Sequence, residues 1–167
     1  ACLSAGCFSS CFSSCSISDF LTRMGKKPSH WYEQSAIIPW RLAENGVELL
    51  LITTRKGHWT IPKGIVEADL GARASAMKEA LEEAGVSGDL DAEEVGDYRY
   101  RKWGGVCHVR VFSLRVTQEY EDFEEMHFRQ REWLPLDLAL HRLAYSPAHP
   151  VLRAFRPRNI EQKKGAR

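Results

Sequence analysis

No stretch of the chain narrows its structure as far as Lys78-Glu79-Ala80-Leu81-Glu82-Glu83-Ala84-Gly85-Val86, which sets three carboxylates at spacings of three and four and ends at a glycine. On a helix such residues share a face, so Glu79, Glu82 and Glu83 meet on one patch. Like charges so placed destabilise an isolated helix by roughly 0.2–0.5 kcal/mol per pair, and each raises its neighbours' affinity for protons. A divalent cation reverses that sign. Magnesium suits the task, because a hard ion prefers oxygen ligands from a few carboxylates, water and substrate phosphates. Three solvated charges on a good helix former give the same pattern, so the triplet alone leaves both readings open.

The flanking sequence predicts alternating strands and helices. Residues 34–41 and 47–54 are rich in Ile, Leu and Val and are separated by Asn45-Gly46, a hairpin signal. A short strand over 59–61 leads to Gly64, and a helix follows over 72–84, with Ala76, Met77, Ala80, Leu81 and Ala84 as its apolar stripe and Gly85 as its stop. Strands are expected over 95–103 and 106–116, joined by Gly104-Gly105, and over 131–134. Pro135 is placed to open a helix reaching about 143, and a further short helix fits 151–155 among Pro147, Pro150 and Pro157.

At 167 residues and 44% hydrophobic content the chain suits one domain with a sizeable core. No apolar run approaches the roughly 20 residues a membrane-spanning helix needs, and a net charge of +1 gives no global bias toward nucleic acid or membrane. Four of the five cysteines, Cys2, Cys7, Cys11 and Cys15, lie among serines and phenylalanines at the start. They lack the histidine or C-x2-C pair of a zinc site, and the stretch lacks the basic start of a signal peptide. Residues 1–24 are therefore expected to be an extension outside the fold, upstream of a start at Met24, with the domain over 25–167 and the basic end 163–167 as a frayed tail. Cys107 falls in a strand pattern and is expected to be buried and reduced, consistent with the cytoplasm.

Residues 64–86 resemble the Nudix hydrolase signature, G-x5-E-x7-R-E-U-x-E-E-x-G-U with U aliphatic. Gly64, Glu79, Ala80, Glu82, Glu83, Gly85 and Val86 fall in register, and Lys78 stands where the family has arginine. The resemblance runs over roughly 33–145. Its approach Trp59-Thr60-Ile61-Pro62-Lys63-Gly64 and its later Arg129-Gln130-Arg131-Glu132-Trp133 are similar to the diphosphoinositol polyphosphate phosphohydrolase branch. One position departs: Leu70 stands where the signature has its first glutamate, which in the family commonly braces the box arginine. Both partners of that pair differ here. Glu67 and Asp69, in the same loop, are candidates for a compensating carboxylate and equally for turn residues.

The resemblance implies an α/β fold, an α/β/α sandwich around a central mixed sheet. It implies magnesium-dependent hydrolysis of a nucleoside diphosphate linked to another moiety, or of a related phosphoanhydride, with manganese as an alternative metal. Glu79, Glu82 and Glu83 become the catalytic and metal-binding residues, joined by the backbone carbonyl of Lys63. The proton acceptor is one of them or a residue outside the box, Glu124 or Glu125, which an acidic solvent-facing loop explains as well.

Arg55, Lys63, Arg129 and Arg131 are the implied substrate-binding residues, with Lys56, Arg99, Arg101 and Lys102 as further cations. The inositol-specific branch has a basic run before the first strand, where this chain has Glu33-Gln34-Ser35. The expected substrate is a diphosphoinositol-like or a dinucleoside polyphosphate, with nucleotide sugars and RNA 5′ ends left open beside them. A housecleaning nucleotide pyrophosphatase and, in another class, a non-catalytic metabolite or RNA sensor stay open too. Trp59, Tyr98, Tyr100 and Trp103 could stack on a base or fill the core, and His58 and His108 read as surface or strand polar groups. The expected partner is a small-molecule polyphosphate, with no membrane, and the oligomeric state is left open.

Overall fold

The computed structural model describes residues 30–157; the expected extension over 1–24 and the tail over 163–167 lie outside the described residues. Strands β1 (Trp31–Ala43) and β2 (Gly46–Thr53) form the first antiparallel hairpin. Its two-residue turn is Glu44-Asn45, and Gly46, at φ +121°, opens β2 opposite Ala43. β3 (Trp59–Thr60) and β4 (Lys63–Ile65) follow, then helix α1 (Gly71–Ala84), β5 (Val86–Leu90), β6 (Gly96–Lys102), β7 (Gly105–Glu119), β8 (Arg131–Pro135) and helices α2 (Leu136–Arg142) and α3 (His149–Ala154). β4 and β5 escape the sequence analysis because each is short and glycine-bearing, without the alternation that marks longer strands.

All eight strands join one mixed sheet, whose central path runs β3-β2-β1-β7-β5. β1 and β7 pair in parallel over ten residues, while the other ladders are antiparallel. β1 divides one edge between two partners: residues 40–43 pair with β2 and residues 34–36 with β4. That split brings Lys63 and Gly64 beside the helix.

The apolar runs of β1 and β2 are buried on both faces, because successive side chains point to opposite sides. Ile37, Leu50 and Ile52 join Phe112 and Leu114 against Ala72, Ala76, Ala80 and Ala84 of α1. Ala36, Ile38, Trp40, Leu49 and Leu51 pack on the other face with Ala139, Val151, Leu152 and Phe155. Helices on both faces of a mixed sheet give the α/β/α sandwich.

The buried face of α1 is a row of alanines four apart, a smooth ridge that lets the helix lie close to the sheet. Leu81 falls off that row and is 46% exposed, correcting its place in the expected stripe. Ser75 is buried instead, its hydroxyl accepting the Glu67 N–H at 2.9 Å. Gly85 ends the helix in the left-handed conformation expected of it, and its N–H donates to Leu81 O at 3.0 Å. Among the described residues no helix is long and apolar enough to cross a membrane. Cys107 is buried as a free thiol.

Candidate active site

The last turns of α1 face β4, the end of β2 and the loop between β7 and β8. Glu83 Oε2 accepts the Lys63 N–H at 2.9 Å, tying helix to strand. Glu79 lies so close to Gly64 that a β-carbon there would overlap its carboxylate. Only glycine leaves that space.

The loop is fixed to the helix end by main-chain bonds, Glu125 N to Glu82 O at 3.1 Å and Tyr120 N to Gly85 O at 2.8 Å. From it Arg129 reaches inward and is almost wholly buried, 8% exposed against 12% for Glu83. Its Nε donates to Glu125 Oε2 at 2.7 Å, its Nη1 to Thr53 O at 2.8 Å, and its Nη2 to Glu83 Oε1. The planar guanidinium thus joins strand, helix and loop, which a lysine could not do with one point charge.

Burial first, then the nearby Glu82 and Glu125 carboxylates, push the Glu79 carboxyl up to about 7 against the partial relief of Lys78 and Arg129. Burial likewise raises Glu125. A carboxyl whose folded value exceeds its ordinary 4.5 binds its proton more tightly in the folded state, so stability is favoured at low pH and falls as pH rises from about 4.5 through 7. Metal-free protein is therefore expected to show a Tm that declines between pH 5 and pH 8. Glu79→Gln should flatten that decline, and an unchanged slope would show that Glu79 does not cause it.

Glu79, Glu82 and Glu83 do share the helix end. Among the described residues, however, no three His, Cys, Asp or Glu groups are gathered closely enough to hold a metal ion as they stand. Glu83 has both oxygens engaged by Lys63 N–H and Arg129. The chemistry of the donor set still fits a hard cation: oxygen-only groups on one patch, one with its proton affinity raised by burial and then by the neighbouring carboxylates.

Of the two loop carboxylates weighed for compensation, Glu67 takes the Lys78 ammonium, which also lies 3.5 Å from Glu82. The ion pair of the box is thus rebuilt from a position three residues earlier than Leu70. Glu125 reaches the site through Arg129 and lies 3.7 Å from Arg55, and Glu124 lines a groove with Leu81, Glu82 and Phe123.

Arg55, Lys63, Arg129 and Arg131 all lie about the end of α1, each with its own contacts there. Arg55 is 71% exposed and stacks on Phe128 at 3.7 Å. Arg131 Nη1 donates to Ala84 O at 2.9 Å, placing a cation at the C-terminal end of α1, where the helix dipole favours it. Arg99 and Lys102 lie over Trp31 and Trp103 along the β6–β7 hairpin. His108 stands between Glu33 and Asp97 at 3.1 and 3.0 Å. Thr53 went unnoticed in the sequence, which carries no signal for a backbone carbonyl acting as an arginine anchor.

Beside the acidic patch lies a cleft of about 410 Å³. Trp59, Lys63, Tyr98, Tyr100, Arg142 and Tyr145 are among its lining residues. The Tyr98 and Tyr100 rings stack at 6.1 Å, and the Tyr100 hydroxyl donates to Gln34 Oε1 at 2.7 Å. Arg142 lies over the Trp59 ring at 4.8 Å and pairs with Glu132. Lys63 belongs to both sites, through its N–H on Glu83 and its place in the cleft wall. Burial, then Lys102 and Arg129, holds its ammonium below the ordinary lysine value.

The profile of the NUDIX domain matches residues 31–155. Nudix hydrolase 21, chloroplastic, of Arabidopsis thaliana is 35% identical over 125 residues, covering 71% of this chain and 63% of its own length. Diphosphoinositol polyphosphate phosphohydrolase 3-alpha of Mus musculus is 30% identical over 132 residues, covering 73% of this chain and 76% of its own. Among solved structures, an Ap4A hydrolase of C. elegans superposes with a TM-score of 0.63 at 21% identity, over 75% of this chain and 96% of that one. The chain spans less than two thirds of the length of the Arabidopsis relatives it resembles at 33–38% identity, Nudix hydrolases 21, 4 and 12.

Proposed function

Because the chain belongs to the NUDIX domain family, we propose that it hydrolyses a phosphoanhydride bond, with magnesium or manganese, in a polyphosphate carrying a flat aromatic group, such as a dinucleoside polyphosphate. One observation carries the substrate choice: an aromatic cleft shares Lys63 with the acidic helix end. A base can stack in such a cleft while its phosphate chain extends past Lys63 toward the glutamates.

The same geometry weighs against a diphosphoinositol polyphosphate. A ring crowded with phosphates needs several free cations. Here Arg129 is taken up by Glu83 and Glu125, Arg131 by the helix end, and Arg142 is already paired with Glu132. The mouse relative's name supplies that alternative, and the cleft is the reason to rank it second.

In this reading Glu79, Glu82, Glu83 and the Lys63 carbonyl would hold the metal. A bound divalent ion there lowers the pKa of water and offsets charge on phosphate oxygens. The proton acceptor is one of these glutamates or Glu125, which Arg129 ties to Glu83. Lys63, in the cleft wall, and Arg55, exposed beside Glu125, are the cations we assign to phosphate. We take residues 25–167 as one catalytic domain and the cytoplasm as its compartment; the buried thiol of Cys107 suits a reducing environment. The names of the plant relatives include chloroplastic and mitochondrial forms, so targeting needs direct localisation.

The test is a panel of diadenosine tetraphosphate, a diphosphoinositol pentakisphosphate, a nucleotide sugar and triphosphate-ended RNA, each with magnesium and again with chelator. Fastest release of nucleotides from the dinucleotide, lost with chelator, is expected. Preference for the inositol compound would overturn the substrate assignment, and tight binding without turnover on every member would favour the sensor.

A further inference from the structure

We propose that Arg129 is a positioning residue that serves as the resident cation of the acidic site, competing with divalent metal for Glu83. The inference rests on the reading of the glutamates as metal ligands. It deepens that reading by naming what controls their availability.

Three features carry it. Arg129 is among the most buried charged side chains at the site, and every nitrogen of its guanidinium has an acceptor: Glu125, Thr53 O and Glu83. Fixed at three points, it cannot swing away without leaving a main-chain carbonyl and a carboxylate unpaired, so its contact with Glu83 is held by the fold. Secondly, Glu83 meets Arg129 with one oxygen while Lys63 N–H takes the other, so a metal reaching Glu83 meets a donor on each oxygen and a guanidinium charge beside it. Thirdly, the three box glutamates occupy one helix end yet no metal-holding group of three forms among the described residues. The contact with Arg129 supplies the reason: Glu83 answers a guanidinium across the site.

A resident cation also explains how so acidic a patch is tolerated between metal encounters. Glu79, Glu82 and Glu83 crowd one helix end, Glu125 is tied to it through its N–H on Glu82 O, and Arg129 bonds to Glu83 and Glu125 at once. Arg55, 3.7 Å from Glu125 but mostly exposed, has the same charge without the bond to Glu83. The two arginines therefore separate a specific competition from a general field.

The decisive measurement is manganese affinity, read by paramagnetic resonance of the free ion, together with melting in chelator, for the wild-type chain, Arg129→Met, Arg129→Lys and Arg55→Met. Arg129→Met is expected to bind manganese about tenfold more tightly, the equivalent of one charge-assisted hydrogen bond released, while melting earlier than wild type in chelator. Arg129→Lys, which keeps the charge but lacks the fork, should fall between. It also keeps the test open should the methionine variant fail to fold. Arg55→Met is expected to change affinity by less than about twofold, since an exposed charge is well screened.

Affinity equal to or below wild type in both Arg129 variants overturns the inference and leaves the metal reading intact. An equal gain in Arg55→Met assigns the effect to the general field and also overturns it. Absence of manganese binding in every protein, wild type included, defeats the metal reading itself.

Discussion

Glu83→Gln is expected to lower turnover of the best panel substrate by roughly a hundred- to ten-thousand-fold, the range associated with losing a group that handles charge or protons in the reaction. Glutamine has nearly the shape of glutamate and can still accept the Lys63 N–H that Oε2 accepts now at 2.9 Å. Its amide nitrogen, however, would then face Arg129 Nη2, donor against donor, where Oε1 stands at present. The variant keeps the strand–helix tie and loses the charge. A stability cost of about 1.5–3 kcal/mol is expected from the lost charged hydrogen bond, small enough to leave the sheet and α1 folded. Rates at saturating metal, set beside melting curves, separate the two effects. Activity within tenfold of wild type in a folded variant would reduce Glu83 to a brace for Arg129 and remove it from the reaction.

The legible parts of the fold were those in which local pattern and tertiary role coincide. The apolar runs of β1 and β2 read as strands because both faces of each are buried, and α1 read as a helix with its stop at Gly85 because capping is local chemistry. Leu81 was misplaced for the opposite reason. Periodicity admits it to the stripe, but the sheet accepts a ridge of alanines and leaves the larger side chain outside. That Glu79, Glu82 and Glu83 share one helix end was readable from their spacing. Their partners were not, since Thr53, Glu83 and Arg129 come from segments tens of residues apart. Glu125 and Arg129 stand four apart and are brought together by a turn closed by the Arg129 N–H on Glu125 O, whereas the contact of Arg131 depends on which way its strand end faces. Basic residues near the box carry no local signal of which carboxylate or carbonyl each will meet in the fold.

Gly88→Ala should have the largest effect on stability, about 3 kcal/mol or more, at the upper end of what overpacking costs. Gly88 sits where β5 slips register against β7, between Ser87 and its own pairing with Val116. A β-carbon there would overlap the Arg115 carbonyl oxygen and lie 2.8 Å from the Thr117 nitrogen, both backbone atoms. β7 cannot retreat, because Arg115 is paired across its other edge with Trp40 of β1. β5 must move instead, and it follows Gly85 directly, so the displacement reaches the helix end that carries Glu82 and Glu83. A fall in Tm of roughly 6–12 °C is expected for a domain of this size, with a lower urea midpoint and reduced activity in the folded fraction. Gly57→Ala provides the contrast. Gly57 has φ +78° and open space around its α-carbon, so only the left-handed backbone is penalised, by about 1–2 kcal/mol. Equal losses in the two variants would trace the sensitivity to glycine's backbone freedom. A markedly larger loss at Gly88 traces it to the close approach of two strands, and with it the position of the acidic turn.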